Sequence, residues 1–283
     1  MRTLGFILAI GAVCLLLAGS ASATATGWIT MSFYNVSPGE GVNYVAPGKS
    51  GSTTAGVYNQ KVYLHPDTWD DLLDTNGDSI PDQEASEFID SIKLGAGGGL
   101  GTTQWVYVQT FCADILQYAS GAWLKYYIYE PEDAPIGGAN TAMGDAKAAD
   151  LRRLWYNYSA YGLGTLPYTY GGTTYVANQT SAAFQAAVWN IIYDTDLTVK
   201  TGTFKITSAN ASKTLADNWL GSLAGTPDPC LGLRILVSEN QQDFAITVPG
   251  IGRDPIPEPV TMAGLMLGIG SIAGYVRRRR RTA

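Results

Sequence analysis

The segment 181–193, SAAFQAAVWNIIY, constrains the fold more than any other stretch, because its apolar residues have helical spacing and a polar residue lies among them. At about 100° per residue, the apolar side chains form one continuous arc, and Gln185 falls inside that arc. A buried carboxamide without hydrogen-bond partners costs about 1–3 kcal/mol. We therefore expect Gln185 to lie in the core of the folded chain and to meet a partner there.

The run WVYVQTFC at 105–112 predicts a strand, since β-branched and aromatic residues alternate along it. Its mostly apolar face carries Val106, Val108, Thr110 and Cys112. Cys112 ends the strand and is the candidate partner of Gln185.

Two short motifs around these residues resemble the thioester domains of bacterial surface proteins. One has an aromatic residue before the cysteine, Phe111 and Cys112, and the other keeps Gln185, Ala187 and Trp189 in the order Gln-x-Ala-x-Trp. The resemblance implies a thioester between Cys112 and Gln185, shielded by Phe111 and Trp189. It also implies covalent attachment to an amine or hydroxyl group of an extracellular polysaccharide or surface protein. Such attachment happens once per molecule, requires no cofactor and is not enzyme turnover.

The first 25 residues have the pattern of a secretory signal peptide. Arg2 precedes an apolar run at 4–17, and small residues that suit cleavage follow at 21–25. Residues 26–250 are therefore predicted to be the exported domain. Residues 251–283 are predicted to be a second targeting segment.

The second targeting segment contains Pro257, Glu258 and Pro259, which are followed by an apolar span at 260–276 and by arginines at 277–281. A short apolar span with positive charge behind it predicts a membrane anchor. The whole order resembles the PEP-CTERM sorting tail of Gram-negative bacteria. This resemblance implies an exosortase-type processing enzyme as a partner, with transfer from the inner membrane to the cell surface or extracellular space. A plain tail anchor is the alternative.

Charge excludes one class of partner. Without Arg2 and the arginines at 277–281, 12 of the 18 basic residues remain against 24 acidic ones, which gives a net charge near −12. Nucleic acid binding depends on clustered positive charge, so nucleic acid is not expected as a partner.

One loop has the ligand spacing of a calcium site, with oxygen-bearing groups at alternate positions from 74 to 82. It resembles calcium loops of the EF-hand and thrombospondin-repeat kind, although Ser79 replaces the usual glycine and Ala85 the usual glutamate. Calcium and a solvated acidic turn both remain open as interpretations. The ligands would be the side chains of Asp74, Asn76, Asp78 and Asp82 and the backbone carbonyl of Ile80.

The remaining inventory limits the chemistry. His65 is the single histidine, which excludes most Ser-His-Asp and Cys-His arrangements and any zinc site with two histidines. The neighbouring acids Glu130, Glu132 and Asp133 suggest solvated surface rather than a glycosidase pair. In an exported protein, Cys112 could instead form a disulfide with Cys230. The protein would then be a non-catalytic structural or carbohydrate-binding module.

The order of elements predicts an α+β fold, with a β-sandwich or barrel-like sheet and a packed or inserted helical layer, as in thioester domains. A Gly, Pro and Ser-rich connection is expected at 38–54. Strands are predicted at 28–34, 57–64, 105–112, 122–129, 203–207, 233–237 and 244–248, and helices at 145–158, 181–193 and 211–223.

Overall fold

The computed structural model describes residue 25 and residues 27–63, 105–136, 141–229 and 232–247. Within these ranges the chain is a mixed α/β protein with one large antiparallel sheet and three α-helices. The strands are β1 (Gly27–Ala46), β2 (Lys49–Tyr63), β3 (Trp105–Cys112), β4 (Leu124–Tyr129), β5 (Tyr168–Tyr170), β6 (Thr173–Tyr175), β7 (Lys205–Ile206), β8 (Leu233–Val237) and β9 (Phe244–Thr247). The helices are α1 (Asp145–Gly162), α2 (Ala177–Tyr193) and α3 (Ala211–Gly221).

The large sheet has seven strands in the order β2-β3-β9-β8-β4-β1-β7, and β1 also pairs with β2. That extra pairing closes six of the strands into a ring, because Met31 of β1 lies opposite both Val62 of β2 and Leu124 of β4. The large antiparallel sheet and the three helices agree with the predicted α+β class. β5 and β6 form a separate small hairpin.

The predicted connection at 38–54 is wrong, since most of it is strand. β1 and β2 form a long antiparallel hairpin that runs to Ala46 opposite Lys49. Gly48 has φ 70° in the turn, a left-handed conformation that favours glycine. The glycine and serine content of 38–54 indicated a loop, but backbone hydrogen bonds to the neighbouring strand override that local preference.

Helix α2 is the centre of the helical layer. It lies between α1 and α3 and packs on β1, β2 and β3. Every residue from Thr180 to Ile192 is buried, so the helix is covered on all sides rather than on the single predicted apolar arc. Gly162 at the end of α1 allows this packing, because a Cβ there would lie 2.5 Å from Cγ of Phe184.

The sequence placed most element centres correctly and misplaced several ends. The strands at 105–112 and 233–237 are confirmed, and so is the hairpin that β8 and β9 form. Helix α1 continues to Gly162 instead of ending at 158, and α2 begins at Ala177 instead of 181. The strand predicted at 203–207 is reduced to β7, which pairs with β1 at two positions.

The acidic residues after β4 are not all the solvated surface that the sequence suggested. Glu132 is 7% exposed, and its carboxylate lies 2.9 Å from the guanidinium of Arg152, which also pairs with Asp228. Glu130 pairs with Arg234 at 2.9 Å. These ion pairs attach the segment after β4 to α1 and β8, so they have a structural role.

Candidate functional site

The end of β3 meets the middle of α2 inside the protein. The Cys112 backbone N–H donates to Oε1 of Gln185 at 2.8 Å, and Nε2 of Gln185 donates to the Cys112 carbonyl oxygen at 2.8 Å. Both residues are 0% exposed. The structure thus brings together two residues that lie 73 positions apart, and both ends of the Gln185 carboxamide are hydrogen-bonded to the residue that carries the thiol.

The contact between Cys112 and Gln185 follows from the positions of β3 and α2. β3 pairs with β2 along most of its length and with β9 at its last two residues, Phe111 and Cys112. That pairing fixes the position of Cys112 at the end of the strand. Gln185 projects from the buried middle of α2, which packs directly on β3.

The sulfur of Cys112 accepts hydrogen bonds from the Trp189 indole and the Asp114 backbone. Trp189, one helical turn after Gln185, donates its indole N–H to Sγ at 3.2 Å. Burial raises the pKa of the Cys112 thiol well above its usual value, and the charges of Asp114 and Asp243 raise it further. Hydrogen bonds from the Trp189 indole and the Asp114 backbone act in the opposite direction, because they stabilise the thiolate.

Phe111 and Trp189, the two predicted shielding residues, have different positions. Trp189 contacts the sulfur directly. Phe111 is fully buried, and the centroid of its ring lies 4.5 Å from the ring centroid of Phe184 and 5.5 Å from that of Trp155. Phe111 therefore belongs to the packing between β3, α1 and α2, which excludes water from this region of the core.

A cluster of polar residues next to Cys112 was not predicted as part of the site. The Asp114 carboxylate is fully buried and accepts hydrogen bonds at Oδ1 from the Tyr193 hydroxyl at 2.6 Å and the Leu116 N–H at 2.8 Å. Its Oδ2 has no hydrogen-bond partner among the described residues. Burial, and secondarily the charge of Asp114, raises the pKa of Asp243 well above its usual value. The one local signal for Asp114 is its place two residues after the cysteine.

A cavity of about 350 Å³ lies against the segment that follows Cys112. Its walls include Tyr44, Tyr58, Gly51, Gln117 and Gln242. Gln242 also links the cavity to the site, because its Nε2 donates to the Asp114 carbonyl at 3.1 Å and to the Gln117 carbonyl at 3.2 Å. Burial raises the pKa of Tyr58 well above its usual value, and the nearby Cys112 adds to this effect.

Several predicted sites lie outside the described residues. These are the calcium ligands at 74–82, the sorting signal Pro257, Glu258 and Pro259 with the span and arginines after it, the signal peptide apart from residue 25, and Cys230. Cys112 is a free cysteine in the structure. In the ranges that are described, no three His, Cys, Asp or Glu residues form a group that could hold a metal ion.

Two further observations concern classification. No helix in the described part of the chain is both long and apolar enough to cross a membrane. Comparison with known proteins gives no assignment, since no family model, curated protein or solved structure matches this chain.

Proposed function

We propose that this protein is an exported surface or matrix protein of the thioester-domain type, which forms an internal thioester between Cys112 and Gln185. The observation that carries the proposal is the pair of 2.8 Å hydrogen bonds between the Gln185 carboxamide and the Cys112 backbone in a fully buried position. A reaction between a thiol and an unactivated amide is slow in water. Fixed positions in a dry core provide the proximity that the reaction needs.

In the first step, Sγ of Cys112 attacks the side-chain carbonyl carbon of Gln185. The Cys112 N–H already donates to Oε1, so negative charge that develops on this oxygen is stabilised by a fixed donor. The bond from the carbon to Nε2 then breaks. The products are a thioester and one molecule of ammonia.

The proton balance of this step requires a base near the sulfur, and Asp114 is the residue that we assign to this role. Its Oδ2 is buried and has no hydrogen-bond partner among the described residues, and its charge contributes to the raised pKa of the Cys112 thiol. As the thiol attacks, its proton would pass to the Asp114 carboxylate, directly or through one water, and from there to the departing nitrogen. Ammonia carries that proton away, so Asp114 ends the step with the same number of protons with which it began.

In the second step, an amine or hydroxyl group of another molecule attacks the acyl carbon. The carbon to sulfur bond breaks, the Cys112 thiol is restored, and the target stays bound to Gln185 through an amide or ester bond. The cavity beside Asp114 and Gln242 is the route by which we expect the attacking group to enter. Each protein molecule reacts once, so the protein is not an enzyme.

The targeting segments at the two ends of the chain account for export and membrane attachment in this proposal. A signal peptide at 1–25 would export the chain, and the tail at 251–283 would hold it in the inner membrane until an exosortase-type enzyme processes it. An extracellular polysaccharide or another surface protein would be the attachment partner. Calcium at 74–82 would be a structural addition that the thioester chemistry does not require.

Intact mass and methylamine treatment test the thioester directly. The folded full-length chain should lack the mass of one ammonia, should gain one methylamine at Gln185, and should then expose one free thiol. Gln185→Ala should abolish both changes, and Cys112→Ser should prevent formation of a methylamine-sensitive bond. A loss of two hydrogens with Cys112 bonded to Cys230 would overturn the proposal and establish the disulfide module instead.

A further inference from the structure

Aromatic rings and lysines form a continuous group on the outer surface of β1, β2 and β3. Tyr34 and Tyr107 are 55% and 50% exposed, with ring centroids 5.4 Å apart, and Trp105 lies 4.9 Å from Tyr107. The Lys61 ammonium lies 4.7 Å from the centre of the Trp105 ring and 5.1 Å from that of Tyr34. We name these four residues the first aromatic group.

A second group of the same kind lies on β1 and β4. The Lys125 ammonium is 4.2 Å from the centre of the Trp28 ring and 4.6 Å from that of Tyr127. Trp28 is directly opposite Tyr127 in the sheet. Trp28 and Tyr34 both lie on β1, and a strand rises about 3.3 Å per residue, so the two groups extend over about 20 Å of this surface.

In the part of the chain that the structure describes, the lysines of both groups contact aromatic rings and form no ion pairs with carboxylates. Among the described residues, no Asp or Glu forms an ion pair with Lys61 or Lys125, and each ammonium is held over aromatic faces instead. A cation over a ring keeps most of its charge available to a second partner. The chain as a whole has a net charge of −6, and Glu239 lines the same pocket as Lys125 and Tyr127, so the two ammonium groups are local positive charges on an acidic protein.

From this combination we infer that the outer surface of β1 to β4 binds an anionic polysaccharide built from uronic acid units. Each unit of such a polymer has an apolar C–H face that can stack on an exposed ring and a carboxylate that can pair with an ammonium. An extended polymer can contact both aromatic groups at once, which multiplies weak contacts. Two lysines do not provide the dense charge that nucleic acid binding needs.

This binding is reversible and does not depend on the thioester. It would concentrate the protein on a polymer by contacts that lie on a different surface from the cavity beside Cys112. Since the two sites use different residues, the failure of one would leave the other measurable.

The test measures the affinity of the full-length chain, treated with methylamine, for polygalacturonate and for the same polymer fully methyl-esterified. We expect the acidic polymer to bind about tenfold more tightly, and the difference to shrink as salt is raised. Tyr107→Ala and Lys61→Gln should each weaken binding about fivefold. Tyr170→Ala, an exposed tyrosine on β5, and Lys213→Gln on α3 are matched controls that should bind like the unchanged protein.

Equal affinity for the two polymers would overturn the inference, as would equal losses in the control variants. Tighter binding to single-stranded DNA or to anionic phospholipid vesicles would assign the surface to another ligand. Self-association that Tyr107→Ala abolishes would assign it to a second copy of this chain. Intact mass of each variant before methylamine treatment reports thioester formation separately, so a missing thioester would not be confused with missing polysaccharide binding.

Discussion

The indole N–H of Trp189 points at the sulfur of Cys112, with a distance of 3.2 Å between Nε1 and Sγ. Trp189 lies one helical turn after Gln185, so a single face of α2 supplies both the carboxamide and a donor to the thiol. This relationship gives a physical reason for the tryptophan in the motif Gln-x-Ala-x-Trp of this chain. Besides covering the site, the side chain stabilises negative charge on sulfur.

Trp189→Phe should therefore slow the formation of the thioester about fivefold, because one hydrogen bond to the developing thiolate is lost while an aromatic ring remains. The measurement is the rate of ammonia loss after refolding, followed by intact mass. Trp219→Phe is a matched control, since Trp219 is nearly as buried as Trp189 but lies on α3, and the indole that donates to the Cys112 sulfur is that of Trp189. Equal rates for the two variants would contradict the role of the indole N–H.

Asp114→Asn should slow thioester formation about 100-fold or more, because it removes the carboxylate that we propose as the acceptor of the thiol proton. Asparagine keeps an oxygen that can accept from the Leu116 N–H, so the local turn is expected to persist. Tyr193→Phe removes a hydrogen bond to the same carboxylate but leaves the base in place, and it should have a smaller effect. A general base has a second signature: the rate in Asp114→Asn should become more dependent on hydroxide concentration. A variant that forms the thioester at the normal rate would remove Asp114 from the mechanism.

The sequence could predict the meeting of Cys112 and Gln185 only in part. Helical spacing placed Gln185 on an apolar face, and strand alternation placed Cys112 on a buried one, because both patterns are local. The choice of these two residues as partners came from the resemblance of their motifs. Asp114, Asp243 and the cavity could not be predicted, since their positions depend on how β9 and the segment after β3 pack together.

The helical layer illustrates the same limit. Arg152 of α1 is 4% exposed and bridges Glu132 and Asp228. Its partners come from two segments that are distant in sequence, so no local pattern identifies the pairing. The hairpin of β1 and β2 was missed at 38–54 for the opposite reason, because its local composition favours a loop while its neighbours in the sheet favour a strand.

Gly51→Leu should leave thioester formation unchanged and slow the reaction with methylamine severalfold. Gly51 lines the cavity, and a Cβ there would make an ordinary contact of 3.7 Å with the Tyr44 hydroxyl oxygen, so a leucine side chain would take up part of the cavity volume. Gly41→Leu is the matched control on the same hairpin, where a Cβ meets nothing within 4 Å and no cavity residue is changed. The rate of methylamine incorporation by intact mass distinguishes them. Equal rates would show that the attacking group enters elsewhere.

Asp243→Asn should make the protein more stable at neutral pH and should remove part of its pH dependence. Burial raises the pKa of Asp243 well above its usual value of 3.8, so the folded state holds this proton more tightly than the unfolded state does. The contribution of Asp243 to stability is therefore fully present below pH 3.8 and is lost as the pH rises through its folded pKa. Asp194 and Asp217, whose pKa values are lowered, contribute with the opposite sign, because their stabilisation is lost as the pH falls. For this reason the quantity to compare is the difference in the free energy of unfolding between the variant and the unchanged protein.

Asparagine keeps an oxygen that can accept from the Ser238 N–H, as Oδ1 of Asp243 does at 2.9 Å. Free energies of unfolding from denaturant titrations between about pH 4 and 8 should show a difference that grows as the pH rises. A difference that stays constant with pH would mean that Asp243 titrates alike in the folded and unfolded states.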